Sequence, residues 1–341
     1  MRYNFCTLFD KNYLYRGLAL YNSLIRYCPN FKLWILCMDN ITYKILCDMN
    51  LKKVTLISLS EFEDQELLKV KRERQAGEYC WTCTPSLPLY ILKKHSNLEM
   101  IAYLDSDLYF YSSPEPIYEE FRNKSIMIIP HRFSPEKQYL KEKAGKYNVG
   151  MLIFKNNKNG LDCLKWWRKK CLEWCFEYYD KGRLGDQLYL NDWPKRFFGV
   201  HVLRHKGADV ALWNLSQYEI KKINNQIFID DEPLIFYHFN SLKIYANSKS
   251  RLRTLIYNIS LNKQKLIYNP YLKELEKAMV KVKTINPNFN YGLGPKVWPL
   301  KSVMLNNDNL IKLHTILWKI PIYRKFCKCI RILIYGEKSK N

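Results

Sequence analysis

The sequence contains cysteines but none of the patterns that cysteines form in disulfide scaffolds or zinc sites. It has 11 cysteines, an odd number, scattered along 341 residues. Cys80 and Cys83 make one CxxC pair, but no second pair stands at zinc-ribbon spacing, and Cys327 and Cys329 are too close together to add one. The cysteines are therefore expected to be reduced thiols in a cytosol, most of them buried.

Long apolar runs and glycine-rich loops are also missing. No segment approaches the roughly 20 apolar residues that cross a bilayer, and the start of the chain lacks the apolar region of a signal peptide. Phosphate loops of the Rossmann or Walker type are absent, and the sequence shows no internal repeat. We therefore expect a cytoplasmic protein that is soluble or attached peripherally to a membrane.

Acidic residues are scarce relative to basic ones. The chain carries 55 Lys and Arg against 32 Asp and Glu, a formal net charge of +23 at pH 7. Residues 276–341 hold 13 Lys and Arg and 3 Asp and Glu, so +10 of this charge lies in the last 66 residues. Such an excess favours acidic partners: nucleic acid, an anionic membrane or phosphorylated substrates.

The order of the apolar segments predicts an α/β fold. With 48% hydrophobic residues in 341, the chain can bury a large core. The runs that have the length of buried strands are residues 3–9, 32–38, 54–59, 125–130, 149–154 and 234–239. A helical pattern separates the first two, and a β-α-β opening with right-handed crossovers predicts a mostly parallel, Rossmann-like sheet with helices on both faces.

A further apolar strand, predicted at residues 101–110, carries two aspartates, Asp105 and Asp107. Successive strand residues point to opposite faces, so positions i and i+2 share a face. Both carboxylates could then bind one hard cation, and oxygen ligands suit Mn²⁺ or Mg²⁺. Open α/β sheets bind their ligands at the carboxyl ends of strands. An Asp-capped turn without a metal is the alternative for these two residues alone.

His238 is the candidate for a third ligand. It lies near the end of the predicted strand at residues 234–239, and imidazole suits Mn²⁺ as well as Zn²⁺. A histidine in an apolar run is more often a core residue, but Lys243 follows shortly after it. A metal ligand and a nearby lysine could share the charge of a diphosphate.

Two other polar groups are weak signals when each is taken alone. Asp10, Asn12 and Tyr13 follow the first predicted strand, where they could contact a nucleobase or form an ordinary βα turn. Asp186 and Gln187 open a predicted helix after two glycines, where they could face a reacting sugar or simply cap the helix.

Together these residues resemble the GT-A glycosyltransferases, and most closely the retaining family 8 enzymes, over residues 1–245. The motifs are Phe9-Asp10-Lys11-Asn12-Tyr13, Tyr103-Leu104-Asp105-Ser106-Asp107, Asn148-Val149-Gly150, Gly185-Asp186-Gln187, and His238 with Lys243. Family 8 usually carries His-x-x-Gly-x-x-Lys-Pro-Trp. Here His238 and Lys243 are one residue closer together and lack the Gly and the Pro-Trp, so the chain resembles a divergent relative.

The resemblance implies a GT-A fold and transfer of a sugar from a nucleotide-sugar donor, commonly a UDP-sugar. Asp105, Asp107 and His238 would bind Mn²⁺ or Mg²⁺ across the diphosphate, and Lys243 would meet the phosphate oxygens. The residues expected to hold the base and ribose are Asp10, Asn12 and Tyr13.

The resemblance also implies roles at the sugar. Asn148 would lie against the donor sugar, with Asp186 and Gln187 near the anomeric carbon. In a retaining enzyme Gln187 would orient or stabilise the oxocarbenium-like centre, whereas in an inverting enzyme Asp186 could deprotonate the acceptor hydroxyl. The sequence leaves both mechanisms open.

Residues 1–270 are predicted to form the glycosyltransferase domain, and residues 271–341 a basic, aromatic C-terminal segment. In residues 309–335, basic side chains alternate with aliphatic and aromatic ones, as in segments that lie at a membrane interface. A helix docked on the core with a basic outer face is the alternative. The pattern predicts a protein held at the inner membrane face. Together with the resemblance to glycosyltransferases, it implies an acceptor that is a saccharide or lipid-linked saccharide in surface polysaccharide or lipopolysaccharide synthesis.

Two other classes of protein stay open as alternatives. A haloacid-dehalogenase-like phosphatase also uses paired carboxylates at a strand end, but it has them near the N-terminus, normally with Thr or Val shortly after. A nucleic-acid-binding protein would explain the net charge of +23. It would not explain buried carboxylates at strand ends or a tail as aliphatic as it is basic, so no nucleic-acid partner is expected.

Overall fold

A computed structural model describes residues 2–240, 242–245, 250–252 and 260–294. The chain divides into two compact units, Met1–Leu242 with Asn258–Leu293, and Lys243–Tyr257 with Gly294–Asn341. The basic segment at residues 309–335 lies outside the described residues. Within the described ranges, no helix combines the length and the apolar character that a membrane crossing requires. The functional boundary at residue 270 stays a prediction.

The strands, in chain order, are β1 (Tyr3–Phe9), β2 (Phe31–Cys37), β3 (Val54–Ser58), β4 (Met100–Leu104), β5 (Leu108–Phe110), β6 (Ile126–Pro130), β7 (Tyr147–Lys155), β8 (Val200–Val202), β9 (Val210–Ala211), β10 (Ile220–Ile223), β11 (Gln226–Ile229), β12 (Glu232–Pro233), β13 (Phe236–His238), β14 (Leu242–Tyr245), β15 (Ser250–Leu252) and β16 (Leu293–Gly294). The main sheet of the first unit has the order β3-β2-β1-β4-β7-β6-β8. Its strands run parallel except β7, which is antiparallel to both of its neighbours. The strands β15-β14-β16 form a separate small sheet.

The helices are α1 (Leu14–Tyr27), α2 (Asn40–Met49), α3 (Leu59–Phe62), α4 (Gln65–Lys71), α5 (Ala76–Cys83), α6 (Ser86–Lys94), α7 (Glu115–Phe121), α8 (Lys141–Ala144), α9 (Lys158–Glu173), α10 (Trp193–Arg196), α11 (Leu261–Lys263) and α12 (Asn269–Ile285). Short 3₁₀ helices lie at Pro135–Leu140, Leu188–Asp192 and Leu215–Gln217, and one π-helical turn at Gln264–Tyr268. Several helix starts are capped by side chains, as where Asp39 accepts a hydrogen bond from the main-chain nitrogen of Thr42 at 2.8 Å.

Both faces of the main sheet are covered by helices. Along β1, Cys6 and Leu8 join a core cluster with residues of α6 and α9, among them Trp167. Phe5 points to the opposite face, where its ring centroid lies 6.2 Å from that of Phe31. Tyr21 of α1 packs on Phe31 from that side, and α12 packs on α1. The predicted α/β class, with a mostly parallel sheet between helices, is confirmed.

The cysteines form no disulfide among the described residues. Nine of them are free, and most are buried, as Cys6 and Cys171 are. Burial raises the pKa of both thiols well above their ordinary value, which disfavours the reactive thiolate. The predicted burial of most cysteines is confirmed for the described part of the chain.

The strand predicted at residues 101–110 is interrupted in the structure. Strand β4 ends at Leu104 and β5 begins at Leu108. Asp105 and Asp107 therefore lie in a turn, which is closed by a 3.2 Å hydrogen bond from the Leu108 nitrogen to the Asp105 carbonyl. The predicted alternation of Asp105 and Asp107 along one strand is therefore wrong, because the directions of the two side chains are set by a turn.

Trp167 offers a test of the packing on the α9 face. It is fully buried, and its ring centroid lies 5.3 Å from that of Trp193 and 6.3 Å from that of Phe154. We expect Trp167→Ala to lower the free energy of unfolding by about 3–5 kcal/mol, because a large cavity would replace the ring. Urea denaturation measures this loss.

The control is Lys169→Ala, which alters an exposed residue of the same helix. We expect this variant to stay within about 0.5 kcal/mol of the wild type. A loss below about 1 kcal/mol for Trp167→Ala would show that Trp167 does not anchor α9 to the sheet.

Candidate metal and donor site

A small sheet with the order β5-β13-β9 brings distant parts of the chain together beside the end of β4. Strand β13 runs antiparallel to β5, with His238 opposite Leu108, and parallel to β9, with His238 opposite Ala211. The end of an antiparallel strand lies beside the start of its neighbour, so Asp107 comes next to His238. The Phe239 nitrogen fixes this arrangement by donating to the Asp107 carbonyl at 3.0 Å.

Asp105, Asp107 and His238 form a candidate metal centre, since their ligand atoms all lie within 4.8 Å of one another. The His238 Nε2 atom is 3.1 Å from Asp107 Oδ1 and 3.8 Å from Asp105 Oδ2. His238 is buried, while the two aspartates are partly accessible. Two carboxylates and one imidazole are a donor set that fits a divalent cation such as Mn²⁺ or Mg²⁺.

The pKa values at this centre differ because each group has different neighbours. Burial raises the pKa of Asp105 to about 6; the His238 charge opposes this shift and the Asp107 charge adds to it. Burial would also raise the pKa of Asp107, but His238 holds it below its ordinary value. Burial would lower the pKa of His238, yet Asp107 and Asp209 hold it well above its usual range. These two carboxylates therefore favour the protonated form of His238 when no cation is bound.

Asp186 lies within electrostatic range of this centre. Its main-chain carbonyl accepts a hydrogen bond from Trp167 Nε1 at 2.9 Å, which ties the segment to α9. Burial raises the pKa of the Asp186 carboxyl to about 8, and the Asp105 charge adds to this shift. In the cation-free chain Asp186 is thus mostly protonated at pH 7 and can donate a hydrogen bond.

Gln187 and Asn148 are held together by their side-chain amides. Gln187 Oε1 accepts from Asn148 Nδ2 at 3.0 Å and from the Val149 nitrogen at 3.2 Å. Gln187 Nε2 donates to the Ala144 carbonyl at 2.7 Å. The structure therefore brings these two predicted residues into direct contact and fixes the orientation of both.

Gly150 joins the Gln187–Asn148 contact to the metal centre. Its carbonyl accepts a hydrogen bond from the Asp105 nitrogen at 2.8 Å. A Cβ atom at Gly150 would lie 2.5 Å from Asn148 Oδ1 and 3.0 Å from His238 Nδ1. Only glycine lets the backbone of β7 approach both groups this closely.

Asp10, Asn12 and Tyr13 follow β1 as predicted from the sequence. The Asp10 carboxylate accepts hydrogen bonds from the Asn12 nitrogen at 2.9 Å and from Asn12 Nδ2 at 2.7 Å, which makes an Asx-type turn. The Tyr13 ring is exposed, and Arg16 lies 4.6 Å from its centroid. Burial of the Tyr13 hydroxyl and the charge of Asp107 raise the pKa of Tyr13 to about 12. Its phenol end thus lies in the field of the metal centre.

Lys243 lies on β14 and belongs to the second compact unit. The other predicted site residues belong to the first unit. The role of Lys243 at the phosphates stays a prediction.

Asp209 and Tyr103 also contact the candidate metal ligands, although neither was predicted from the sequence. Asp209 is fully buried, and its Oδ1 atom lies 3.3 Å from His238 Nδ1. The Tyr103 hydroxyl donates to Asp105 Oδ1 at 3.0 Å. A signal for Asp209 was present, because it is the one charged residue in the otherwise apolar run Ala208–Trp213, but no spacing rule connects it to His238.

Two proteins of Bacillus subtilis (strain 168) are similar to this chain over most of its length. YfnD is 33% identical over 297 residues, which cover 86% of this chain and 95% of YfnD. YfnF is 31% identical over 293 residues, covering 84% and 96%. Both are described as uncharacterised proteins. No family model matches the chain.

Solved glycosyltransferase structures are more remote. The galactosyltransferase LgtC, solved with donor and acceptor sugar analogues, is 14% identical with a TM-score of 0.44, covering 69% of this chain and 86% of its own. Mouse xyloside xylosyltransferase 1 is 14% identical with a TM-score of 0.46, covering 70% and 98%. A glycosyltransferase involved in glycosylation of the PBCV-1 major capsid is 11% identical with a TM-score of 0.42, covering 82% and 100%. At these values the likeness carries no argument about activity.

We expect Mn²⁺ binding to release protons near neutral pH. The proton on cation-free His238 must leave before Nε2 can bind the metal, and below about pH 6 a proton on Asp105 must leave too. Affinity should accordingly rise with pH. Titration calorimetry in two buffers of different ionisation enthalpy counts the released protons.

The His238→Gln variant is the control, since it has no imidazole to deprotonate and should release fewer protons. A binding enthalpy that is the same in both buffers at pH 6.5 would contradict the assignment of His238 as a ligand.

Proposed function

The chain belongs to the family of the Bacillus subtilis proteins YfnD and YfnF, and we propose that it is a metal-dependent glycosyltransferase of the GT-A fold. The proposed donor is a nucleotide sugar of the UDP-sugar class, and the proposed acceptor is a saccharide. The observation that carries the proposal is the convergence of Asp105, Asp107 and His238 at the end of β4, beside the buried Asp186.

The donor diphosphate accounts for the metal centre. A bound divalent cation would neutralise the charge that develops on the leaving phosphates when the sugar–oxygen bond breaks. Asp105, Asp107 and His238 would hold that cation, and Mn²⁺ suits this mixture of oxygen and nitrogen ligands. Lys243 is proposed as a second positive charge on the phosphate oxygens.

The nucleoside end of the donor fits the turn after β1. The Asx-type turn of Asp10 and Asn12 presents polar edges to a base or ribose, and the exposed ring of Tyr13 offers a stacking surface. Asp107 contributes to the raised pKa of Tyr13, so the two side chains lie within electrostatic range of each other, and we propose that one donor molecule reaches both.

We propose a retaining reaction of the hexosyltransferase type. Burial raises the pKa of the Asp186 carboxyl to about 8, which favours its protonated form in the cation-free chain. Asp186 is therefore better suited to donate a hydrogen bond to the donor sugar. The Gln187 amide, held by Asn148 and the backbone, would stabilise the oxocarbenium-like centre, and Asn148 would contact the donor sugar.

The proposed setting is the inner face of a membrane. The net charge of +23 and the alternation of basic with apolar residues at 309–335 support attachment to an anionic surface. An acceptor carried on a lipid would be presented there. We therefore propose a cytoplasmic, peripheral enzyme of surface polysaccharide or lipopolysaccharide synthesis.

Nucleotide release tests the donor half of the reaction. We expect the protein to release UDP from one member of a panel of UDP-sugars in the presence of Mn²⁺, and EDTA should abolish this release. Asp107→Ala should lower the rate at least about 100-fold, the scale on which loss of one electrostatic stabiliser acts.

The matched control is Asp48→Ala, which removes an exposed aspartate on α2 and should leave the rate unchanged. If no nucleotide sugar is turned over, and UDP with Mn²⁺ does not shift the thermal unfolding temperature, the glycosyltransferase proposal is wrong.

The stereochemical outcome tests the role of Asp186. NMR of the product should show the anomeric configuration of the donor, and Asp186→Asn should keep the rate within about 10-fold because it replaces a protonated carboxyl by an isosteric amide. Removal of a true general base would cost about 10²–10⁴-fold. An inverted product, with Asp186→Asn inactive, would instead make Asp186 the base.

A further inference from the structure

We propose that Asp209 is a positioning residue for the metal centre: its carboxylate accepts the Nδ1–H hydrogen bond of His238 and keeps Nε2 directed at the cation. This inference rests on the proposed metal-dependent function. It concerns a residue outside all the motifs that carry the family resemblance.

The two nitrogens of His238 face different partners. Nδ1 lies 3.3 Å from Asp209 Oδ1, and Nε2 lies 3.1 Å from Asp107 Oδ1. A neutral imidazole has one N–H and one free lone pair. When Nδ1 donates its hydrogen to Asp209, the lone pair is left on Nε2, on the side of Asp105 and Asp107. Histidines that bind metals commonly have such a partner on the other nitrogen, and it fixes both the tautomer and the ring orientation.

The backbone around Asp209 is fixed by Asn214, a fully buried residue. Asn214 Nδ2 donates to the carbonyls of Asp209 at 3.1 Å and His131 at 2.9 Å, and its Oδ1 accepts from the Ala211 nitrogen at 2.9 Å. Asp209 itself has a φ of 59°, in the left-handed region, which Asp tolerates better than most residues other than glycine. The hydrogen bonds of Asn214 thus fix the backbone turn that directs Asp209 toward His238.

Two neighbours hold the imidazole ring against Asp209. The Trp213 ring lies edge-on to His238, with centroids 5.3 Å apart and an interplanar angle of 81°. On another side the backbone of β7 lies close to both groups, because a Cβ atom at Gly150 would lie 3.0 Å from His238 Nδ1 and 3.1 Å from Asp209 Oδ1. The ring has little freedom to turn away from the carboxylate.

The Asp209 carboxylate is poorly explained as a purely structural group. It is fully buried, and its Oδ2 atom has no hydrogen-bond partner within the described part of the chain. Burying an incompletely bonded carboxylate is destabilising, and an apolar residue would fill the space at lower cost. The Asp209 carboxylate is explained if the His238 imidazole binds a metal, because the carboxylate then fixes the orientation of the ring.

The test compares Asp209→Leu, which removes the acceptor, with Asp209→Asn, whose carbonyl oxygen can still accept from Nδ1. Electron paramagnetic resonance of the full chain measures the Mn²⁺ dissociation constant, and spin-echo modulation detects nitrogen bound to Mn²⁺. We expect the dissociation constant to rise about 10–100-fold in Asp209→Leu, with weakened nitrogen modulation, and to rise less in Asp209→Asn. Asp48→Asn is the surface control.

A double-mutant cycle separates positioning from general damage to the fold. In a His238→Gln background there is no ring to orient, so Asp209→Leu should then change Mn²⁺ affinity little further. An unchanged dissociation constant in Asp209→Leu, or an equal loss in both backgrounds, would overturn the inference. So would a wild-type chain that binds no Mn²⁺. Mn²⁺ binding that behaves as expected, without turnover of any nucleotide sugar, would instead leave the Asp209 inference standing and refute the glycosyltransferase proposal.

Discussion

The candidate site depends on the close packing of several negatively charged side chains. Asp105, Asp107 and Asp209 surround one imidazole, and Asp186 lies close enough for the Asp105 charge to raise its pKa. Carboxylates removed from water repel one another and are costly unless they are paired. His238 compensates part of that charge, and a divalent cation would compensate more. The pairing of β13 with β5 and β9 holds together groups that electrostatics alone would separate.

The parts of the fold that sequence predicted are those encoded by local pattern. Buried parallel strands are continuous apolar runs, and Phe31–Cys37 is such a run. Its length and composition place β2 without any knowledge of its neighbours. The two aspartates after β4 and His238 at the end of β13 could also be predicted from local sequence, because a polar residue at the end of an apolar run is easily recognised.

Asp209 and the turn at Asp105–Asp107 could not be predicted in the same way. Strand β9 has two residues, too few to show a periodicity, and its partner β13 is set by a pairing register that no local pattern encodes. The break between β4 and β5 was missed because Leu108–Phe110 continues the apolar character of the preceding strand. The contact of Gln187 with Asn148 likewise joins two turns that are remote in sequence.

The strand order of the small sheet determines when during folding the candidate metal ligands can come together. Its outer strands β5 and β9 enclose β13, so the candidate ligands lie roughly 130 residues apart in sequence. Contacts between such distant segments must offset the chain entropy that is lost when the long intervening loop closes. A nascent chain that has been synthesised only as far as β7 contains Asp105 and Asp107 but lacks His238. The candidate metal centre is therefore complete only when the tertiary structure is complete, and Mn²⁺ binding to it would mark correctly finished folding.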